Sequence, residues 1–379
     1  MDSGLFDDLT RRVGATLRRR SLVAMLAAAP VAMAAAPDDG DAKKQNANNH
    51  KKHNKGKKRR YCLNGKQYRT MRKQRKRRLR RQGATRGKCP ATPSGCNPPC
   101  PAGSFCEGNT CTPCSVTCTG SAAECGAALT AALLVGGRIQ LCPGRYGGTF
   151  TVGIADTSVR GAGNDNDAAT SSILDGQQAG STVFVSANTP ATVENLRITG
   201  GTSSGLVVKS GNPTSNPVTV RKCVITGNAS SSGGGIAANN LLALIDSQVT
   251  GNTATTSGGG LAFGGDTGTA HTVTNSVVSG NSCTGTGGGV FNSFSNVTFT
   301  GSTISGNSAP DGGGIHNDYG GTASAVVVDA TSKVTNNTAT GTTPNASGIW
   351  NVTPNVATAT GATVTGNTPL PQCLNVTGC

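Results

Sequence analysis

The chain has 379 residues, a formal net charge of +16, only 14% charged and 3% aromatic residues, and 54 glycines. The charge says nothing about the main fold, because 21 of the 34 Lys and Arg lie between Lys43 and Lys88, while from residue 119 onward eight basic residues stand against eleven acidic ones. Beyond the first 36 residues no stretch is long and apolar enough to read as a transmembrane helix.

Residues 1–36 read as an export signal. Arg18, Arg19 and Arg20 precede an apolar run from Leu22 to Ala36, and Ala32-Met33-Ala34 is a small-x-small cleavage site. The run around Arg19-Arg20-Ser21-Leu22 resembles a twin-arginine signal, although Arg18 stands where such signals carry Ser or Thr. Residues 37–88 follow, with no Asp or Glu from Lys43 to Lys88. At their centre lie Arg72, Lys73, Arg75, Lys76, Arg77, Arg78, Arg80 and Arg81. Such a run buries too little apolar surface to offset its ordering entropy, so it is predicted to be disordered. Its charge suits polyanions such as cell-wall polymers; a solvated linker is the competing reading. Specific nucleic-acid recognition is not expected, since Tyr61 and Tyr68 are the only interleaved aromatics.

Residues 89–118 hold Cys89, Cys96, Cys100, Cys106, Cys111, Cys114 and Cys118 among Pro, Gly, Ser and Asn. In an exported chain this is a disulfide-stapled module too small for a core of its own. Zinc is the rival, because Cys111/Cys114 and Cys96/Cys100 have ligand-like spacing. No His lies nearby and oxidation is expected, so disulfides are preferred, with connectivity left open.

Residues 119–379 begin with one predicted helix over 121–135. Ser121 is its N-cap, Glu124 completes a capping box, and Leu129, Leu133 and Leu134 form an apolar stripe. A tandem pattern follows. Thr199-Gly200-Gly201 opens a series continued by Thr226-Gly227-Asn228, Thr250-Gly251-Asn252, Ser279-Gly280-Asn281, Ser305-Gly306-Asn307, Thr335-Asn336-Asn337 and Thr365-Gly366-Asn367, spaced 24 to 30 residues apart. That period marks a solenoid. The residue before each triplet is Ile198, Ile225, Val249, Val278, Ile304, Val334 or Val364, and a small residue, mostly Ser, recurs two positions earlier. Alternation of this kind predicts short strands with one buried face. The Gly column suits a positive-φ corner, and Asn336 is the replacement that best tolerates one. The Asn column is predicted to stack as an amide ladder. A second marker, Gly233-Gly234-Gly235, Gly258-Gly259-Gly260, Gly287-Gly288-Gly289 and Gly312-Gly313-Gly314, each followed by an aliphatic residue, predicts another corner and strand.

These columns resemble the right-handed parallel β-helix of the pectate-lyase-like superfold. The tandem ITGN…GGGI motif is similar to bacterial β-helix repeat proteins and polymorphic outer-membrane proteins over about residues 138–371. Arg138 to Tyr146 resembles the opening coil of that superfamily. The expected fold is therefore all-β: a parallel β-helix of some nine coils under a short N-terminal helical cap, which a solenoid needs to cover its first coil. Cys125 and Cys142 are placed to tie cap to coil, and Cys373 and Cys379 to close a loop over the last coil.

Enzymes of the superfold need clustered carboxylates, which hold Ca²⁺ or work in pairs on a glycosidic bond. Here the acids are scattered. Asp165 and Asp167 are a Ca²⁺-compatible pair, but they lie in a Gly/Asn loop and read as a solvated turn, so no cofactor or metal is expected. The densest cluster is Asp311, His316, Asp318 and Tyr319; its first three members are the weak catalytic candidates, and Tyr319 flanks the sugar-binding row of Phe291, His316 and Trp350. Strand alternation turns His316 outward, in one column with Phe291 and Trp350. Such a row suits stacking on sugar rings, with packing under a loop as the plain alternative. The expectation is an exported, monomeric, non-catalytic protein with no membrane span after processing, binding polysaccharide or cell-wall polymer. A polysaccharide lyase or glycoside hydrolase is the alternative. Cys223 and Cys283 occupy different columns and are expected to be unbonded and buried.

Overall fold

The computed structural model describes residues 59–63, 66–70, 85–86, 100–107, 109–186, 190–209, 217–265, 269–319, 324–341, 346–369 and 371–379. The export signal and Arg72 to Arg81 lie outside them. Among the described residues, the chain from Arg138 onward forms a parallel β-solenoid with three nine-stranded sheets, each adding one strand per coil. Stacking is in register. Ile198, Ile225, Val249, Val278, Ile304, Val334 and Val364 pair successively in one sheet. Leu206, Ile236, Leu261, Val290, Ile315 and Ile349 do so in the second, and Val220, Leu244, Val273, Phe299 and Val328 in the third. These aliphatic columns meet inside the coil as one continuous core. A short fourth strand follows the Asn column in five coils, giving a five-stranded sheet over Ala254, Cys283 and Ala309. The strands read from the sequence did not include it, because its Ser/Thr-rich segments carry little apolar periodicity.

The corners carry the predicted chemistry. Gly227, Gly251, Gly280, Gly306 and Gly366 have φ between 63° and 70°, and Asn336 stands among them at 57°. The Gly triplets answer a second constraint, close approach: a Cβ on Gly259 would collide with the carbonyl oxygens of Ser282 and Gly288 in the next coil.

The Asn column is one buried row, as predicted. Each Nδ2 donates to the next Oδ1, from Asn228 to Asn252, Asn281, Asn307, Asn337 and Asn367, at 2.9–3.0 Å. Each Oδ1 also accepts a backbone N–H from the coil before it. The second Nδ2 hydrogen goes to a backbone carbonyl. The row ends on Gln372, whose Oε1 accepts from both Asn367 nitrogens. Where the first copy has Gly201, its backbone N–H still donates to Asn228. The small-residue column is a second ladder: the N–H groups of Cys223, Ser247, Ser276 and Ser302 donate to the hydroxyls of Ser247, Ser276, Ser302 and Ser332.

The helix Ala122–Val135 has the predicted capping box. It turns Cys125, Gly126, Leu129 and Leu133 toward the first coil. Leu134 leaves the predicted stripe and is 78% exposed. A helix lying across a flat end buries a narrower arc than one enclosed in a bundle. Cys125 and Cys142 are both bridged, but not to each other: the bonds are Cys118–Cys125 and Cys114–Cys142. The reason is local. Val116 bridges to Leu141, which brings Cys114 beside Cys142, and Cys118 lies three residues before the N-cap, within reach of the first helical turn. With Cys100–Cys111 closing the hairpin Ser104–Glu107/Thr110–Pro113, the cysteine-rich stretch from Cys100 on is stapled onto the N-terminal end of the solenoid; Cys89 and Cys96 lie outside the described residues. At the other end Cys373–Cys379 forms as expected. Cys223 and Cys283 are free and buried.

Within residues 37–88, which the charge pattern predicts to be disordered, the described residues are three short strands. Arg59–Leu63 pairs antiparallel with Lys66–Thr70 and with Thr85–Arg86. The register Leu63↔Lys66 leaves Asn64 and Gly65 between the strands, and Asn-Gly is the strongest short hairpin signal, which charge counting overrode.

Removing one amide from the middle of the ladder leaves two donors of the preceding Asn and one carbonyl without partners. At ~1–3 kcal/mol per orphaned buried group, Asn281→Ala should lose roughly 3–5 kcal/mol. Equilibrium urea unfolding checks this; a loss under 1 kcal/mol would mean that the ladder is incidental.

Candidate functional site

The aromatic column is present. Register pairing places Ala237, Ala262, Phe291, His316, Trp350 and Leu374 one above another on the second sheet. Each follows an inward aliphatic residue, so pleating turns the column away from the core. The His316 and Trp350 rings are tilted with centroids 4.2 Å apart, and Phe291 meets His316 edge-on at 5.6 Å. Phe291 and Trp350 are half-buried and Tyr319 is 42% exposed. His316 departs from the expected open platform: it is only 3% exposed. Rings on both sides at one-coil spacing cover its faces.

Both nitrogens of His316 are buried and without a hydrogen-bond partner. Asp318 Oδ1 lies 3.9 Å from Nε2, too far for a hydrogen bond. Burial pushes the imidazole down to about 4, against the opposing pull of Asp318 and then Asp311. His316 is thus a neutral ring at pH 7, used as an aromatic. The three weak catalytic candidates do come together electrostatically, but the imidazole between the two acids is enclosed. Behind this column a second amide row fixes the corner: Asn292 donates to Asn317 and Asn317 to Asn351, each at 2.7 Å, all fully buried. The sequence reading missed it. The recurrence of Asn two residues after the aliphatic position at Asn292, Asn317 and Asn351 was the available signal.

His271 repeats the theme one sheet away. It is buried against Phe263 at 4.7 Å, accepts at Nδ1 from the Leu242 N–H, and burial lowers it to about 4. Elsewhere the charges serve structure. Glu194 is buried between two neighbouring coils, 2.7 Å from Arg221 and 3.8 Å from Arg160, and Arg145 meets Asp175 at 2.6 Å. In the Asp165/Asp167 loop, Asp167 accepts the Ala169 N–H as a turn residue does. Burial raises the Cys223 thiol to about 12, far from a reactive thiolate. Among the described residues no three His, Cys, Asp or Glu are grouped to hold a metal ion, and no helix is long and apolar enough to cross a membrane.

The fold defines the chain as a parallel β-helix stapled by disulfides at both ends. No protein-family model, curated protein or solved structure matches it.

The two buried imidazoles predict acid sensitivity. Their folded-state values lie below the ordinary 6.5, so the stability tied to keeping them neutral is complete above about pH 6.5 and is lost as pH falls from 6.5 toward 4. At ~1.4 kcal/mol per pH unit and group, the combined loss is on the order of several kcal/mol. Thermal midpoints measured from pH 7.5 to 4 should fall, and His316→Phe should flatten part of the slope. An unchanged midpoint over that range would show that neither imidazole is held neutral.

Proposed function

We propose that this chain is an exported, right-handed β-helix repeat protein of the pectin-lyase-like class that binds polysaccharide or cell-wall polymer at the cell surface. One observation carries the reading. In a chain with 3% aromatics, Phe291, His316 and Trp350 stand in one register column, with Tyr319 exposed on the loop beside it. His316 is enclosed between its neighbours, so the half-buried Phe291 and Trp350 on either side of it, with Tyr319, are the rings left to meet the apolar face of a sugar. Disulfides at both ends of the solenoid support an oxidising compartment, in keeping with the export signal. The Lys43–Lys88 stretch would add a charge-driven hold on anionic polymer.

Catalysis by a lyase or hydrolase is the second reading. Asp311 and Asp318 both act on His316 electrostatically, which favours it. Against it stand the enclosed imidazole nitrogens and the use of Arg145, Arg160 and Arg221 in ion pairs with Asp175 and Glu194. Release of reducing ends from a glycan by the wild type, abolished in Asp318→Asn, would establish catalysis.

Trp350 is the only Trp, so its fluorescence reports on this face. Base stacking on aromatics is worth ~1–3 kcal/mol, and a sugar contact should be no stronger. Trp350→Ala should therefore weaken glycan binding about tenfold while costing less than about 2 kcal/mol of stability. A loss of 3–5 kcal/mol, the cost of emptying a packed Trp site, would make Trp350 core and remove the platform. Separately, binding to an anionic polymer should fall steeply with salt and vanish on deletion of residues 43–88. Binding indifferent to both changes would leave that segment as a linker.

A further inference from the structure

Resting on the binding reading above, we infer that Phe294 is a second stacking residue of the same face, and that the face takes a polysaccharide free of carboxylate and sulfate groups. The argument starts at the corner after the aromatic strand. Phe263, Asn292, Asn317 and Asn351 are paired in register. Two residues further along their coils stand Gly265, Phe294, Tyr319 and Thr353. Gly265 has φ 106°, so one coil gives this position to the residue that accepts it without strain. Phe294 holds φ 66°. For a bulky side chain that is an outlier which the surroundings must enforce.

Packing does not account for the Phe. It is half-buried, whereas Phe263 and Phe299 are fully buried core rings. The equivalent position in the next coil is Tyr319, 42% exposed. Two adjacent coils thus carry an aromatic two residues past the Asn row, on the connections that leave the Phe291 and His316 strands; of the two, only Phe294 takes left-handed backbone. The strand column, spaced at ~4.8 Å per coil, matches a polymer laid along the axis better than a single sugar.

Charge then narrows the polymer. From residue 223 to the end of the sequence Lys333 is the sole basic residue, against five Asp. Two of those acids, Asp311 and Asp318, flank His316, and Lys333 belongs to another sheet. A uronate or sulfated chain would meet carboxylates with no compensating cation. Neutral or amino sugars would meet hydrogen-bond acceptors. Most of the cationic charge, 21 of the 34 Lys and Arg, lies between Lys43 and Lys88, so polyanion binding and this face are separate functions on one chain.

The test uses the full chain in high salt, which screens the basic segment, with titration calorimetry as the readout for every variant and Trp350 fluorescence as a second reporter wherever Trp350 is kept. Chitohexaose, cellohexaose and an oligogalacturonate of the same length are titrated. At least one of the first two should bind ten times more tightly than the galacturonate. Phe294→Gly should weaken that binding about tenfold while leaving the thermal midpoint unchanged or higher, because glycine relieves the corner. A Phe294 retained for packing gives the opposite pattern, affinity kept and midpoint lowered, and overturns the assignment. Tyr319→Ala should weaken binding with no change in midpoint. Galacturonate binding as tight as the others overturns the charge argument. Loss of binding in Trp350→Ala but not in Phe294→Gly sinks this inference and leaves the binding reading standing. If no sugar perturbs Trp350, both fall together.

Discussion

Register is the constraint on which this structure depends. Every coil hydrogen-bonds to the next through parallel strands, so equal positions in successive coils occupy equal environments. A residue's role is therefore set by its column. In the Asn column that logic is strongest: the amide supplies two donors and a twice-used acceptor at a buried corner where the turning backbone has lost its ladder partners. Buried polar groups are tolerated because each is satisfied. The Ser ladder and the Asn292–Asn317–Asn351 row do the same at the other corners. Coil length varies, yet the aliphatic columns stay in phase. Part of the variation is absorbed between the Asn and Gly columns, where the Ala229–Ser232 strand shifts register against Thr253–Ser257.

A stack of identical layers has two open ends, and both are closed covalently. At the start, a capped helix lies over Phe150, Val159 and Leu174, and two disulfides hold the preceding segment to it and to the first coil. At the finish, Gln372 terminates the amide row, Thr377 pairs with Ala357 and Ala359, and a disulfide closes the last loop. Unpaired strand edges would otherwise invite end-to-end association.

The same economy shapes the outer faces. Ion pairs in the early coils are used to neutralise Glu194 and Asp175, and the two enclosed imidazoles are kept uncharged by burial. What is left outward in the later coils is mostly hydroxyl-bearing, with the aromatic column, a few acids, two exposed valines, Val327 and Val356, and Lys333 as the one Lys or Arg.

The sequence by itself determined most of what repeats; the Asn292–Asn317–Asn351 row and the short fourth strand, which also repeat, went unread. The aliphatic, Gly and Asn columns, the helix cap with Ser121 and Glu124, and the column holding Phe291, His316 and Trp350 were all legible, because stacking forces one chemistry on each column and the repetition makes it visible. The tertiary structure decided what does not repeat. Cys114 and Cys118, rather than a direct Cys125–Cys142 bond, fasten the cap, since disulfide partners are set by which backbone segments meet. The hairpin at Arg59–Leu63 formed within a segment whose charge argued for disorder. His316 turned outward as alternation requires and was nevertheless enclosed, because burial of a side chain depends on the rings of the coils above and below it, and no single coil encodes its neighbours.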